Sequence, residues 1–128
     1  ATPRQQLGPG VWLSPGGKHL ALSSRTRIDL LPGGSGEIHC PSGNALFESL
    51  ALWAGASALG ITFTGMGDDG ATGLLALRQA GGRTIAQDEA SSLIYGMPKA
   101  ARDRGAAEYE LSPEEITEVL HEVALTAP

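Results

Sequence analysis

The sequence predicts an α/β domain with a parallel, doubly wound sheet. Three observations predict it. From residue 59 onward, apolar and β-branched runs alternate with segments of helical period. The connections between them are short, as parallel strands joined by crossover helices require. Glycine accounts for 18 of 128 residues, about twice the usual ~7%, and 8 prolines join it, which suits brief elements and sharp turns.

Taken in order, "GVWLS" (10–14) and "HLALS" (19–23) are expected to form a hairpin around Pro15-Gly16-Gly17. "RIDLL" (27–31) alternates as a further strand and stops at Pro32-Gly33-Gly34. Leu46, Leu50, Trp53 and Ser57 fall at helical spacing, which predicts a helix over 43–56. "LGITFT" (59–64) reads as a strand buried on both faces. A glycine-rich turn leads to a helix over 72–82, stopped by Gly81 and Gly82. A strand follows at 83–87, a short helix at 98–105 and a third strand at 107–111. Ser112-Pro113-Glu114-Glu115 is a capping box with proline at the first helical position, and the final helix should run to about Leu125.

The length of 128 residues suits one domain, expected over 1–128, with a hairpin and turn region at 1–41 and the strand-helix units at 42–128. No apolar run approaches the ~20 residues of a membrane span, so membrane insertion is not expected. A net charge of -5 and no basic stripe argue against nucleic acid as a partner. The charge is uneven: residues 1–64 carry a net +1 and residues 65–128 a net -6, much of it in a glutamate series read as a solvated helix face. One cysteine, Cys40, gives neither an internal disulfide nor a metal-ligand pattern, so the expectation is no metal and a cytoplasmic setting. The chain begins at Ala1 with no visible signal peptide, which fits initiator removal or a fragment of a longer protein.

The chemistry is concentrated in the turn after the 59–64 strand, Gly65-Met66-Gly67-Asp68-Asp69-Gly70-Ala71-Thr72-Gly73. In open α/β sheets, functional groups gather at the carboxyl ends of strands. One reading is a helix cap, although two aspartates and four glycines exceed what a cap needs. A second is a dinucleotide fingerprint, because Gly65, Gly67 and Gly70 fit G-x-G-x-x-G and Asp88 stands where a ribose-binding acid belongs. Against it, a pyrophosphate beside Asp68 and Asp69 would meet about 4 kcal/mol of repulsion per charge pair at 4 Å and an effective dielectric near 20. The third makes one aspartate the orienter of a histidine in nucleophilic hydrolysis, with neighbouring N–H groups serving an oxyanion.

The segment from Gly60 to Ser112, with "WLSPGGKHL" and "HCPSGNALFESLA" upstream in the same order, resembles the C-terminal half of the chemotaxis protein-glutamate methylesterase (CheB) catalytic domain. The resemblance runs from about Leu7 to Leu120 and rests on a T-G-M-G-x-D-G turn and an A-Q-x-E-A-S…G-M-P segment. It implies a doubly wound α/β fold and a Ser-His-Asp triad that hydrolyses methyl esters of receptor glutamates and deamidates certain glutamines. It implies no cofactor. The triad acid falls on Asp69, the backbone of Met66 on a proposed oxyanion donor, and Gly65, Gly67 and Met97 on the loops of the same face. The implied substrate is a methyl-accepting chemotaxis receptor.

The family's serine and histidine motifs, G-A-S-[TA]-G-G and Q-H-M-x, do not occur here. Gly55-Ala56-Ser57 mimics the first but closes a helix, and His19, His39 and His121 read as structural or exposed. Gly43 and Asn44 replace the valine and aspartate usual in the family. The sequence thus carries the acid of a triad without its nucleophile or base. Either these residues complete an esterase whose first half lies elsewhere, or they form a non-catalytic binding or regulatory module. In both cases a missing N-terminal half or a second copy is expected to cover the open sheet edge.

Overall fold

The computed structural model describes residues 4–34 and 39–126. Two three-stranded sheets organise them. The first is antiparallel, in the order β1 (Gln5–Gln6), β3 (Arg27–Pro32), β2 (Lys18–Ser24). The second is parallel, in the order β4 (Leu59–Thr62), β5 (Arg83–Gln87), β6 (Tyr109–Leu111). Helices α1 (Gly43–Trp53), α2 (Ala71–Gln79), α3 (Met97–Asp103) and α4 (Pro113–Thr126) complete the domain.

The core lies where α1, α2 and α3 meet one face of the parallel sheet. Leu74 and Leu77 of α2 are wholly buried against Phe47 of α1, Ala86 of β5, Ala101 of α3 and Ala106. Alanine at 86, 101 and 106 lets the helices approach closely, while the leucines fill the volume between them. On the opposite face, α4 turns Val119 and Val123 toward Leu59, Ile85, Tyr109 and Leu111 across an apolar groove of about 440 Å³. Helices therefore cover both faces, as a doubly wound sheet requires. The antiparallel sheet docks on α1, where Leu22 donates its N–H to the Ser49 hydroxyl at 2.9 Å.

The expected strand over 10–14 does not form. The hairpin is β2–β3, turning at Arg25-Thr26, and residues 10–14 run outside any ladder. Val11 and Leu13 face solvent, 89% and 75% exposed, so their alternation buries nothing. Pro15 can offer no ladder N–H, and the turn is closed instead by the Ser14 hydroxyl donating to the Lys18 carbonyl at 2.8 Å. The first helix ends at Trp53 rather than 56 and passes into a 3₁₀ turn over Gly55–Ser57, which holds Ser57 as the reading of a helix end anticipated. The 59–64 strand stops at Thr62 and is not buried on both faces, since Leu59 and Ile61 are only half-buried and Phe63 is exposed. The cause is topological: β4 pairs with β5 on one side and, among the described residues, with nothing on the other.

The capping box is present. The Ser112 hydroxyl accepts the Glu115 N–H at 3.2 Å, and the Glu115 carboxylate accepts the Ser112 N–H at 3.0 Å. Ser112→Ala should cost about 1 kcal/mol. Because α4 touches the sheet lightly, the loss should appear as faster amide exchange confined to α4; unchanged exchange there would contradict the capping role. Among the described residues no helix is long and apolar enough to cross a membrane.

Candidate active site

Asp69 sits in the turn that carries the chain from β4 into α2, and its side chain is buried, only 9% exposed. The N-terminus of α1 surrounds it. Oδ1 accepts the Ser42 hydroxyl at 2.9 Å and the Asn44 N–H at 3.3 Å, and Oδ2 accepts the Gly43 N–H at 2.8 Å. A carboxylate offers about four acceptor sites, so among the described residues Oδ2 retains one. Burial works to raise the Asp69 pKa. The Gly43 N–H, the Ser42 hydroxyl, the Asn44 N–H and the nearby His39 charge outweigh burial and hold the carboxyl below its ordinary 3.8.

This arrangement makes Asp69 part of the fold's acid response. The folded protein binds the Asp69 proton more weakly than the unfolded chain does. The carboxylate thus contributes stability above about pH 3.8 that is lost as acid protonates it below that value. Asp69→Asn should flatten the fall of Tm with pH on the acid side, measured from about pH 5 to pH 3. An acid limb as steep as that of the parent would contradict the hydrogen-bond account.

Ser42 has two further roles. Its hydroxyl caps α1 by accepting the Asn44 N–H at 3.1 Å, and its own N–H donates to His19 Nδ1 at 3.0 Å. His19, His39, Ser42, Asn44, Glu48 and Asp69 line a groove of about 390 Å³. A serine, two histidines and an aspartate therefore share one groove, yet they do not form a triad. The Ser42 hydroxyl donates to the aspartate itself, with no imidazole between them, and so is not poised as a nucleophile. His121 lies far along α4, exposed. Among the described residues, no three His, Cys, Asp or Glu side chains group to hold a metal.

The dinucleotide reading meets occupied positions. The Gly73 N–H, in the first turn of α2, donates to Asn44 Oδ1 at 2.8 Å, and Asp68 forms an ion pair with Arg104 at 2.9 Å. Asp88 accepts both the N–H and the hydroxyl of Ser91, which leaves it as the cap of a turn. A thermal-shift experiment with NAD should show no stabilisation; a tight ligand at 100 times its Kd would add about 2.7 kcal/mol.

The loops beside Asp69 are stitched together. The Gly65 carbonyl accepts the N–H groups of Gly96 at 3.1 Å and Met97 at 2.9 Å, and the Gly65 N–H donates to the Ile94 carbonyl at 3.0 Å. The Thr64 hydroxyl donates to the same carbonyl at 3.0 Å and accepts the Ile94 N–H at 2.8 Å. A trans peptide is planar, so fixing the Gly65 carbonyl toward Gly96 and Met97 turns the Met66 N–H the opposite way. Among the described residues that N–H has no backbone acceptor, and the Met66 side chain is 77% exposed. Gly96 must be a glycine: a Cβ there would lie 2.7 Å from the Gly65 oxygen and 3.0 Å from the Gly67 nitrogen, both backbone atoms. Gly67 borders the groove through His39 Nε2, 3.9 Å from the position of an added Cβ.

The CheB methylesterase family model matches residues 1–120. The chain belongs to the CheB methylesterase family. Relatives of the same family include protein-glutamate methylesterase/protein-glutamine glutaminase 1 of Xanthomonas oryzae pv. oryzae, 52% identical over 112 residues, and the corresponding protein 2 of Xanthomonas campestris pv. campestris, 54% identical over 112 residues. Each match takes in 84% of this chain and 32% of the relative, so the chain spans about a third of the length of the curated relatives it matches. The crystal structure of the Thermotoga maritima CheB methylesterase catalytic domain superposes with a TM-score of 0.85 at 28% identity, over 96% of this chain and 67% of that one. The CheB-type α/β fold expected from the sequence is thereby found.

Asp69, Gly65, Met66 and Gly67, singled out from sequence, lie in the loop 63–70, and Met97 opens α3 after the loop 88–96; the two loops join at the carboxyl ends of β4 and β5. Sequence reasoning missed the side chains that hold them: Ser42 capping α1, Asn44 in its first turn, Thr64, and Gln87 at the end of β5. A serine directly before a helical period was the available signal for Ser42. For Gln87 it was its place in the A-Q-x-E-A-S segment, where β5 ends.

Proposed function

We propose that the chain supplies the acid-bearing half of a cytoplasmic protein-glutamate methylesterase and glutamine deamidase active site that acts on chemoreceptors. Asp69 is the triad acid. Its open Oδ2 site accepts the Nδ1–H of a histidine, fixes the tautomer and steadies the imidazolium that forms when the serine gives up its proton. The serine and histidine come from an N-terminal half outside these 128 residues. The outward N–H of Met66 receives the oxyanion of the tetrahedral intermediate. Gly65, Gly67 and Met97 shape the loops around it, and the reaction uses neither cofactor nor metal.

The observation that supports this reading most is the burial of Asp69 in an ionised, donor-rich setting, with one acceptor site unfilled among the described residues. The edge of β4 that is unpaired among the described residues supports a partner segment beside it. The test joins residues 1–128 to the N-terminal portion of the Xanthomonas oryzae relative and measures methanol released from a methyl-esterified receptor. The reading expects hydrolysis by the fused protein and none by residues 1–128 alone. A folded fusion that releases no methanol would overturn it.

A second reading, a non-catalytic module that binds a partner, is favoured because among the described residues the groove holds no nucleophile-base pair: the Ser42 hydroxyl donates to Asp69 itself. It expects a second copy or another chain to seat on the open edge of β4. A monodisperse monomer at high concentration by light scattering would count against the second copy.

A further inference from the structure

The Gln87 side chain is only 4% exposed, yet it belongs to neither the core nor the groove. It stands at the end of β5 between the two loops that carry the candidate oxyanion donor. Oε1 accepts the Thr64 N–H at 2.8 Å. Nε2 donates to the Ser91 carbonyl at 3.0 Å and to the Ser91 hydroxyl at 3.1 Å. Ser91 is itself fixed by Asp88, which accepts its N–H at 3.0 Å and its hydroxyl. On the far side of the same loop, the Tyr95 hydroxyl donates to Glu110 of β6, and burial together with that bond pushes its pKa up to about 12.

We propose that Gln87 is a positioning residue for the oxyanion peptide. A buried amide whose three hydrogen bonds reach two separate loops fixes their spacing as a short cross-link would, because breaking either side leaves a buried polar group unpaired. The spacing decides whether the Gly96 and Met97 N–H groups reach the Gly65 carbonyl. That contact sets the plane of the Gly65–Met66 peptide and hence the aim of the Met66 N–H. A donor directed at an oxyanion works only in a narrow range of geometry, and a displacement of ~1 Å costs about a hundredfold in rate. Gln87 touches no substrate in this account; it acts through Thr64 and Ser91. The catalytic consequence rests on the methylesterase reading, whereas the geometric one does not.

Two variants and two readouts separate these claims. In residues 1–128, Gln87→Met removes both sides of the clamp at similar volume, and Gln87→Glu keeps the acceptor for Thr64 but loses both donors to Ser91. Amide NMR should show Gly65, Met66 and Gly96 shifted in both variants, with faster exchange of the Thr64 N–H in Gln87→Met alone. In the fused esterase, kcat should fall roughly 10- to 100-fold with KM within about twofold, less in Gln87→Glu than in Gln87→Met. Unshifted Gly65 and Met66 amides, or a rise in KM with kcat intact, would overturn the proposal. Should Gln87→Met fail to fold, Gln87→Glu carries both readouts. If the unsubstituted fusion is inactive, the methylesterase reading fails by itself, and the amide shifts still decide whether Gln87 orients the peptide.

Discussion

Asp69→Ala in the assembled esterase should lower kcat by about ten-thousand-fold while KM changes little. Removing the acid of a triad typically costs about 10⁴ in kcat, because the histidine loses both its tautomer and the charge that steadies its protonated form. Here the loss should be at least that large, since the substitution also strips three donors of their acceptor. The Ser42 hydroxyl and the Gly43 and Asn44 N–H groups all end on this carboxylate. Asp69→Asn is the sharper control. It keeps the volume and one acceptor oxygen but turns an NH2 toward groups that are themselves donors, so activity should stay near the alanine level. Methanol release under single-turnover conditions measures both variants, and activity within tenfold of the parent in either would exclude Asp69 as the acid.

Gly73→Ala should destabilise the domain by about 2–3 kcal/mol. A Cβ on Gly73 would stand 2.8 Å from both the Cα and the carbonyl oxygen of Asn44 and 2.9 Å from Phe47 Cβ. Two of these atoms are backbone, so no rotamer change relieves the clash and α1 must move away from α2. That shift also endangers the 2.8 Å bond from the Gly73 N–H to Asn44 Oδ1. Because α1 carries Ser42, Gly43 and Asn44, stability and activity should fall together, unlike in Asp69→Ala, where activity falls most. Urea unfolding at constant m reports the stability term. A midpoint equal to that of the parent would show that the close packing of the two helices at Gly73 is not limiting.

The parts legible in the sequence were those governed by neighbours along the chain. The capping box at Ser112 and Glu115 joins residues three apart and was read correctly, as was the strand at 83–87 with its bounds. The Asp69 turn was found because its glycines and acids lie together. What failed depended on distant partners. "GVWLS" has the alternation of a strand, but whether a strand forms is decided by its neighbours, and β2 took residues 27–32 instead. Burial of 59–64 on both faces was inferred from an apolar run, although among the described residues β4 is an edge strand with only four residues in the ladder. The donors to Asp69 lie 25 to 27 residues away, and the Thr64 N–H reaches across 23 residues to Gln87, so local patterns could suggest these residues but not which groups they pair with.

In the proposed esterase, Asp69 Oδ2 accepts a histidine supplied by another segment. The most direct measurement is a crystal structure of the fused esterase at neutral pH, read at that single oxygen. An imidazole nitrogen should lie within about 3.2 Å of Oδ2, with the Ser42, Gly43 and Asn44 donors still in place. An Oδ2 facing only water, or bonded to a donor that is not a histidine, would contradict it.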